Sequence, residues 1–62
     1  MQYSLRELRA RMNWTQTQTA EKLGVSVQTY NAWENNIGNV KINKVKAIAD
    51  LFGVKLSEIK VD

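Results

Sequence analysis

A chain of 62 residues with nine Lys and Arg against six Asp and Glu has room for one small domain carrying a mild net charge of +3. It holds no Cys and no His, which excludes disulfides and a zinc site of the usual ligand types. A domain this small buries only ~60% of its unfolded surface, so packed helices must supply the core, alone or helped by a second copy of the chain. No Pro and only three Gly leave few breakers, and a mostly helical chain is expected. The apolar runs all fall short of the ~20 residues of a membrane span. The opening Met1-Gln2-Tyr3-Ser4 has no basic-then-apolar pattern, so no signal peptide is read.

In chain order, Ser4 and Glu7 form the two halves of a capping box. Leu5, Leu8 and Met12 then recur on one helical face, and the helix should end around Asn13. Trp14 is read as a buried residue of the connection. Thr15 and Gln18 make a second capping box. Ala20, Leu23 and Thr19 point inward, and Gly24 ends this second, short helix. Ser26 caps the third. Tyr30 and Trp33 face the core rather than serving as platforms for stacked bases.

The third helix leaves Val27, Gln28, Thr29, Asn31 and Ala32 on its outer face. A merely solvated face usually carries Glu and Lys. Short, uncharged side chains there point to a face that meets something. Asn35 or Asn36 should stop the helix in a loop running through Gly38. Val40 and Ile42 flank Lys41 in an extended segment expected to press onto the core. Asn43 is read as the cap of a fourth helix with Val45, Ile48, Ala49 and Phe52 as its buried stripe. Gly53 ends that helix. Val54, Leu56 and Ile59 finish the core with a last short helix around residues 56–60, and Val61 and Asp62 are expected to fray.

Two capped helices about a glycine turn, over residues 15–35, are the pattern of a helix-turn-helix. The second helix of such a unit enters the major groove of DNA. Gln and Asn suit paired bonds to adenine, Thr suits several bases, and Val or Ala suits the thymine methyl. The absence of Lys and Arg from this face argues against strong guanine readout. Gln16, Ser26, Asn36, Lys41 and Lys44 are the candidate phosphate contacts; Lys41 and Lys44 read equally well as solvated charges. The cap at Asn43 would add donors on the same side.

The residues that carry these roles resemble the Cro/repressor-type helix-turn-helix family, also called the xenobiotic-response-element family. They are Leu5-Arg6-x-Leu8-Arg9, Thr15-Gln16, Ala20, Leu23-Gly24-Val25-Ser26, Tyr30, Trp33-Glu34-Asn35 and Ile48-Ala49-x-x-Phe52-Gly53-Val54. The resemblance spans residues 5–59. It implies an all-α, compact five-helix, lambda-repressor-like domain. It also implies a phosphate anchor at Gln16, base contacts at Val27, Gln28 and Ala32, and a structural ion pair between Arg9 and Glu34. Thr19 stands where the family usually has a larger apolar residue, which Trp14 or Tyr30 would compensate. Asn36 stands where Gly is common, and should adopt the same conformation.

Residues 1–62 are therefore read as a single DNA-binding domain, a sequence-specific transcriptional regulator of the repressor kind, in the cytoplasm. The expected partner is double-stranded DNA, a palindromic operator bound by a homodimer, because one short helix reads too few base pairs for useful specificity. Val54, Leu56, Ile59 and Val61 are the candidate dimer surface. No second domain is read, which resembles a small Cro-like repressor, and no cofactor, metal, membrane or small-molecule ligand is expected. An enzyme is not expected either, since there is no His, no Cys, no Gly-rich phosphate loop and no carboxylate pair. The alternative is a helical protein-interaction module without DNA binding.

Overall fold

The computed structural model describes residues 1–60, Asn39 by its backbone alone. The order of elements is α1 (Leu5–Met12), α2 (Gln16–Leu23), α3 (Val27–Asn35), a 3-10 turn (Ile37–Asn39), α4 (Ile42–Phe52) and a second 3-10 turn (Leu56–Glu58).

The first three helices start as their sequences dictate. Ser4 Oγ accepts from the Glu7 amide at 3.1 Å, and the Glu7 carboxylate accepts from the Ser4 amide at 2.8 Å. Thr15 and Gln18 repeat the exchange at 3.0 and 2.8 Å. Ser26 Oγ accepts from the Thr29 amide at 3.1 Å. Each bond satisfies a first-turn amide that has no partner within its helix.

Helix ends follow a second rule. Asn13, Gly24 and Gly53 close α1, α2 and α4 in the left-handed conformation, with φ of 59°, 72° and 68°. Gly24 and Gly53 adopt it without the steric penalty of a Cβ. Asn36 closes α3 differently. It is not left-handed, as its substitution for a family Gly had suggested, but lies at φ −152° and ψ 81°. Its amide still donates to the Ala32 carbonyl at 2.9 Å, so the helix terminates without the special conformation.

The core is built by Leu5, Leu8, Ala20, Tyr30, Val45, Ile48, Ala49, Phe52 and Ile59. Helix α3 is central: α1, α2 and the Ile37–Asn39 turn all pack on it, while α2 and the Leu56–Glu58 turn pack on α4. Trp14 and Trp33 are half-buried at the margin of this core rather than inside it. The Trp14 ring lies 5.7 Å from that of Phe52 between centroids, and Lys22 Nζ caps it at 4.8 Å. Thr19 is fully buried; its hydroxyl donates to the Thr15 carbonyl at 2.9 Å, so the polar atom is satisfied.

Four expectations are corrected. The fold is all-α, with four α-helices among the described residues, and the expected fifth helix is the single 3-10 turn Leu56–Glu58. Asn43 does not cap α4: Lys41 holds the cap position and Asn43 lies inside the first turn. Ile42 opens α4 with its side chain 65% exposed instead of pressing on the core, while Val40 is half-buried against it. Met12 ends the apolar stripe of α1 outside the core, 40% exposed. The second and third share one reason: the chain enters α4 two residues earlier than an Asn43 cap implied, after the Ile37–Asn39 turn, so Ile42 and Asn43 both fall in its exposed first turn.

Among the described residues there is no strand, only one parallel bridge between Tyr3 and Ile59. The Tyr3 amide donates to Glu58 O at 2.7 Å and the Lys60 amide donates to Tyr3 O at 2.8 Å. Ile59 is buried beneath this bridge and is thus core, not spare dimer surface. Val54 is half-buried, Leu56 is exposed, and Val61 and Asp62 lie outside the described residues. Among the described residues no helix is long and apolar enough to cross a membrane.

Candidate nucleic-acid interface

Helices α2 and α3 meet across the Gly24–Ser26 turn, and the outer face of α3 stays open. Val27, Gln28, Thr29, Asn31 and Ala32 are all exposed. Gln16, in the first turn of α2, is brought beside them: Gln16, Val27, Gln28 and Asn31 line one shallow hollow. These residues come from two helices, brought together by the turn and by the packing of α2 on α3.

The other candidates are placed elsewhere. Ser26 keeps its hydroxyl for the helix, accepting from the Thr29 amide and donating to Thr29 Oγ1 at 3.0 Å. Asn36 lines a different hollow, with Ser4, Trp33, Ile37 and Lys60 among its neighbours. Lys41 and Lys44 are exposed at the start of α4. That start carries no side-chain cap, so its first amides are open to an external acceptor such as a phosphate oxygen.

Behind the exposed face lies a polar network that composition does not reveal. Arg9 Nε donates to Glu34 Oε2 at 2.6 Å, and Arg9 Nη1 donates to the Trp14 carbonyl at 3.1 Å. The Glu34 side chain is fully buried. Gln16 Nε2 donates to Glu34 Oε1 at 3.0 Å, Asn31 Nδ2 to Gln16 Oε1 at 3.1 Å, and Asn35 Nδ2 to Asn31 Oδ1 at 3.2 Å. The pairing of Arg9 with Glu34 is therefore real, and it reaches the candidate phosphate anchor.

The electrostatics follow from these contacts. Burial alone would push the Glu34 carboxyl up; hydrogen bonds from Arg9 and Gln16, with the dipole of the nearby Tyr30 hydroxyl, more than cancel that and hold it below the usual carboxylate range. The hydrogen bond to Glu34 raises Arg9 further against its own partial burial. The Tyr30 hydroxyl is buried and completes no well-formed hydrogen bond among the described residues. Its pKa is driven up by burial first and then by the Glu34 carboxylate.

Two participants were missed in the sequence. Asn35 belongs to the network through Asn31, four residues before it on the same helix, a spacing that brings side chains together. Arg6, three residues before Arg9, lies 3.7 Å from Glu34 Oε1 but is largely solvated. Its place on the Arg9 face of α1 was the available signal.

Among the described residues no group of His, Cys, Asp or Glu is arranged to hold a metal. A family model described as "Helix-turn-helix" matches residues 5–59. A propionyl-CoA carboxylase regulator of Cereibacter sphaeroides is 42% identical over 55 residues, 89% of this chain and 12% of that protein. The HTH-type transcriptional regulator AnsR of Bacillus subtilis is 33% identical over 55 residues, 89% of this chain and 47% of that protein. The chain thus spans less than half the length of either relative. No solved structure matches.

Proposed function

This chain belongs to the Cro/repressor-type helix-turn-helix family of DNA-binding transcriptional regulators, and on that premise we propose that it binds double-stranded DNA sequence-specifically, as a repressor, with α3 in the major groove. One observation carries the reading to particular residues. The exposed outer face of α3 is uncharged and joins Gln16 of α2 in a single hollow, the juxtaposition that lets one helix meet base edges while the other meets the backbone. In this reading Val27, Gln28, Thr29 and Ala32 face bases. Gln16 takes a phosphate, and Lys41 and Lys44 add charge beside the uncapped start of α4.

Nine residues of α3 reach too few base pairs for discrimination against a genome. Two copies on a palindromic site, with half-sites about 34 Å apart, supply the rest. The setting is the cytoplasm. With Ile59 taken up by the core, Leu56 and the exposed edge of Val54 remain as the contact between copies.

Electrophoretic mobility of random and library-selected duplexes, at two salt concentrations, tests the reading. Tight binding to selected duplexes, with weaker and steeply salt-dependent binding to random ones, is expected. No binding to any duplex at low salt would refute it and leave a protein-interaction role.

A further inference from the structure

Glu34 fixes the direction of every amide linked to it. A carboxylate only accepts, so Gln16 must turn its NH₂ toward Glu34, and it does so at 3.0 Å. The Gln16 oxygen then faces Asn31, which must donate, at 3.1 Å. The Asn31 oxygen in turn accepts from Asn35 at 3.2 Å. The orientation of these amides is thus set by one buried negative charge.

This arrangement divides the amides of the exposed face into two kinds. A paired contact to adenine needs a donor and an acceptor from the same amide. Asn31 has one N–H and one lone pair of its oxygen engaged already, which fixes its amide toward Gln16 and Asn35, so a paired contact to a base would compete with both bonds. Gln28 is exposed on the same face, and nothing in the network engages it. Gln16, held at both ends, keeps a second N–H for an external acceptor. A glutamine ordered in advance loses less side-chain entropy when it meets its ligand.

We propose that Asn31 is a positioning residue that holds the Gln16 amide toward a phosphate oxygen, and that paired amide readout of a base by α3 falls to Gln28 alone. The assignment rests on the DNA-binding reading above, and it departs from the expectation that Asn31 reads a base.

The test measures binding of Asn31→Ala, Gln16→Ala and the double variant, as full chains, to a library-selected duplex and to a random one. Asn31→Ala is expected to weaken both by about the same factor, roughly two- to tenfold for one lost hydrogen bond. The base-preference profile should stay as in the parent, and the double variant should bind no more weakly than Gln16→Ala. In the free protein, the Gln16 side-chain amide resonances should move in Asn31→Ala while the melting temperature stays put, which a loss of general stability would not produce. Relaxed preference at a base pair, or losses from the two substitutions that multiply, overturns the assignment while leaving DNA binding intact. A parent chain that binds no duplex at low salt overturns both.

Discussion

Arg9 and Glu34 lie 25 residues apart and meet at 2.6 Å, with the carboxylate side chain wholly inside the protein. This pair joins α1 to α3 and underlies the amides of the exposed face. Breaking a buried pair by removing one partner costs about 3–5 kcal/mol, because the other charge is left uncompensated. A domain of this size has only ~3–9 kcal/mol in total at ~0.05–0.15 kcal/mol per residue. Arg9→Ala is therefore expected to bring the chain close to unfolding at room temperature, measured by urea denaturation. The paired replacement Arg9→Met with Glu34→Leu should recover most of the stability. A single-variant loss below about 1 kcal/mol would contradict the burial argument.

The same carboxylate gives an acid limb. Its folded pKa is held below the ordinary value of about 4.3. The stabilisation it confers is present above that ordinary value and is lost as pH falls through the folded pKa. Thermal melts between neutral and strongly acid pH should show a steep loss in the parent chain and a shallower one in Glu34→Gln, which starts from lower stability. Parallel acid limbs in the two proteins would place the effect elsewhere.

Tyr30 makes an opposite prediction at high pH. Its ring is core, but its hydroxyl is buried without a well-formed partner, an arrangement that costs about 1–3 kcal/mol. Tyr30→Phe is expected to match or exceed the parent's stability, by up to about 1 kcal/mol once the lost dipole beside Glu34 is offset. Because the folded pKa is raised, the parent's stability is intact below the ordinary tyrosine value of about 10 and declines above it. In Tyr30→Phe that part of the alkaline decline should vanish, as read from denaturant midpoints at stepped pH.

Thr19 is the other polar group in the core. The Thr15 carbonyl that takes its hydroxyl also accepts the Thr19 amide at 3.0 Å, so deleting the hydroxyl orphans nothing. Thr19→Val keeps the shape and should stabilise by up to about 1 kcal/mol, visible as a higher melting temperature. Thr19→Ala opens a void and should lose about 1 kcal/mol.

On DNA, Gln28→Ala and Gln16→Ala should separate by kind of effect. The first is expected to flatten preference at one base pair by about 1–3 kcal/mol. The second should weaken all duplexes alike. Competition binding with single-base-pair variants of a selected site reads the difference; equal losses everywhere for both would dissolve the distinction.

The legible parts of the molecule are local ones. Caps at Ser4, Thr15 and Ser26 and glycines at 24 and 53 announce themselves because each acts within one turn of chain. The core stripe of α4 is equally plain from its spacing. What escaped depends on distant partners. Asn43 has a cap's chemistry, yet the chain enters α4 at Ile42 after the Ile37–Asn39 turn. Ile59 reads both as core and as available apolar surface, and its burial beside the bridge to Tyr3 decides for the core. The commitment of Asn31 to Gln16 crosses 15 residues and two helices, and no periodicity encodes it. The candidate face was recognisable from its composition, whereas the division of labour proposed within it rests on the buried charge underneath.

The bridge that closes Tyr3 onto Ile59 has a mechanical meaning. The two segments run parallel, so tension applied to the two ends of the chain slides one along the other. Both hydrogen bonds flanking Tyr3 then carry load together instead of opening one after another. The bridge thus latches Tyr3 to residues 58–60 in shear.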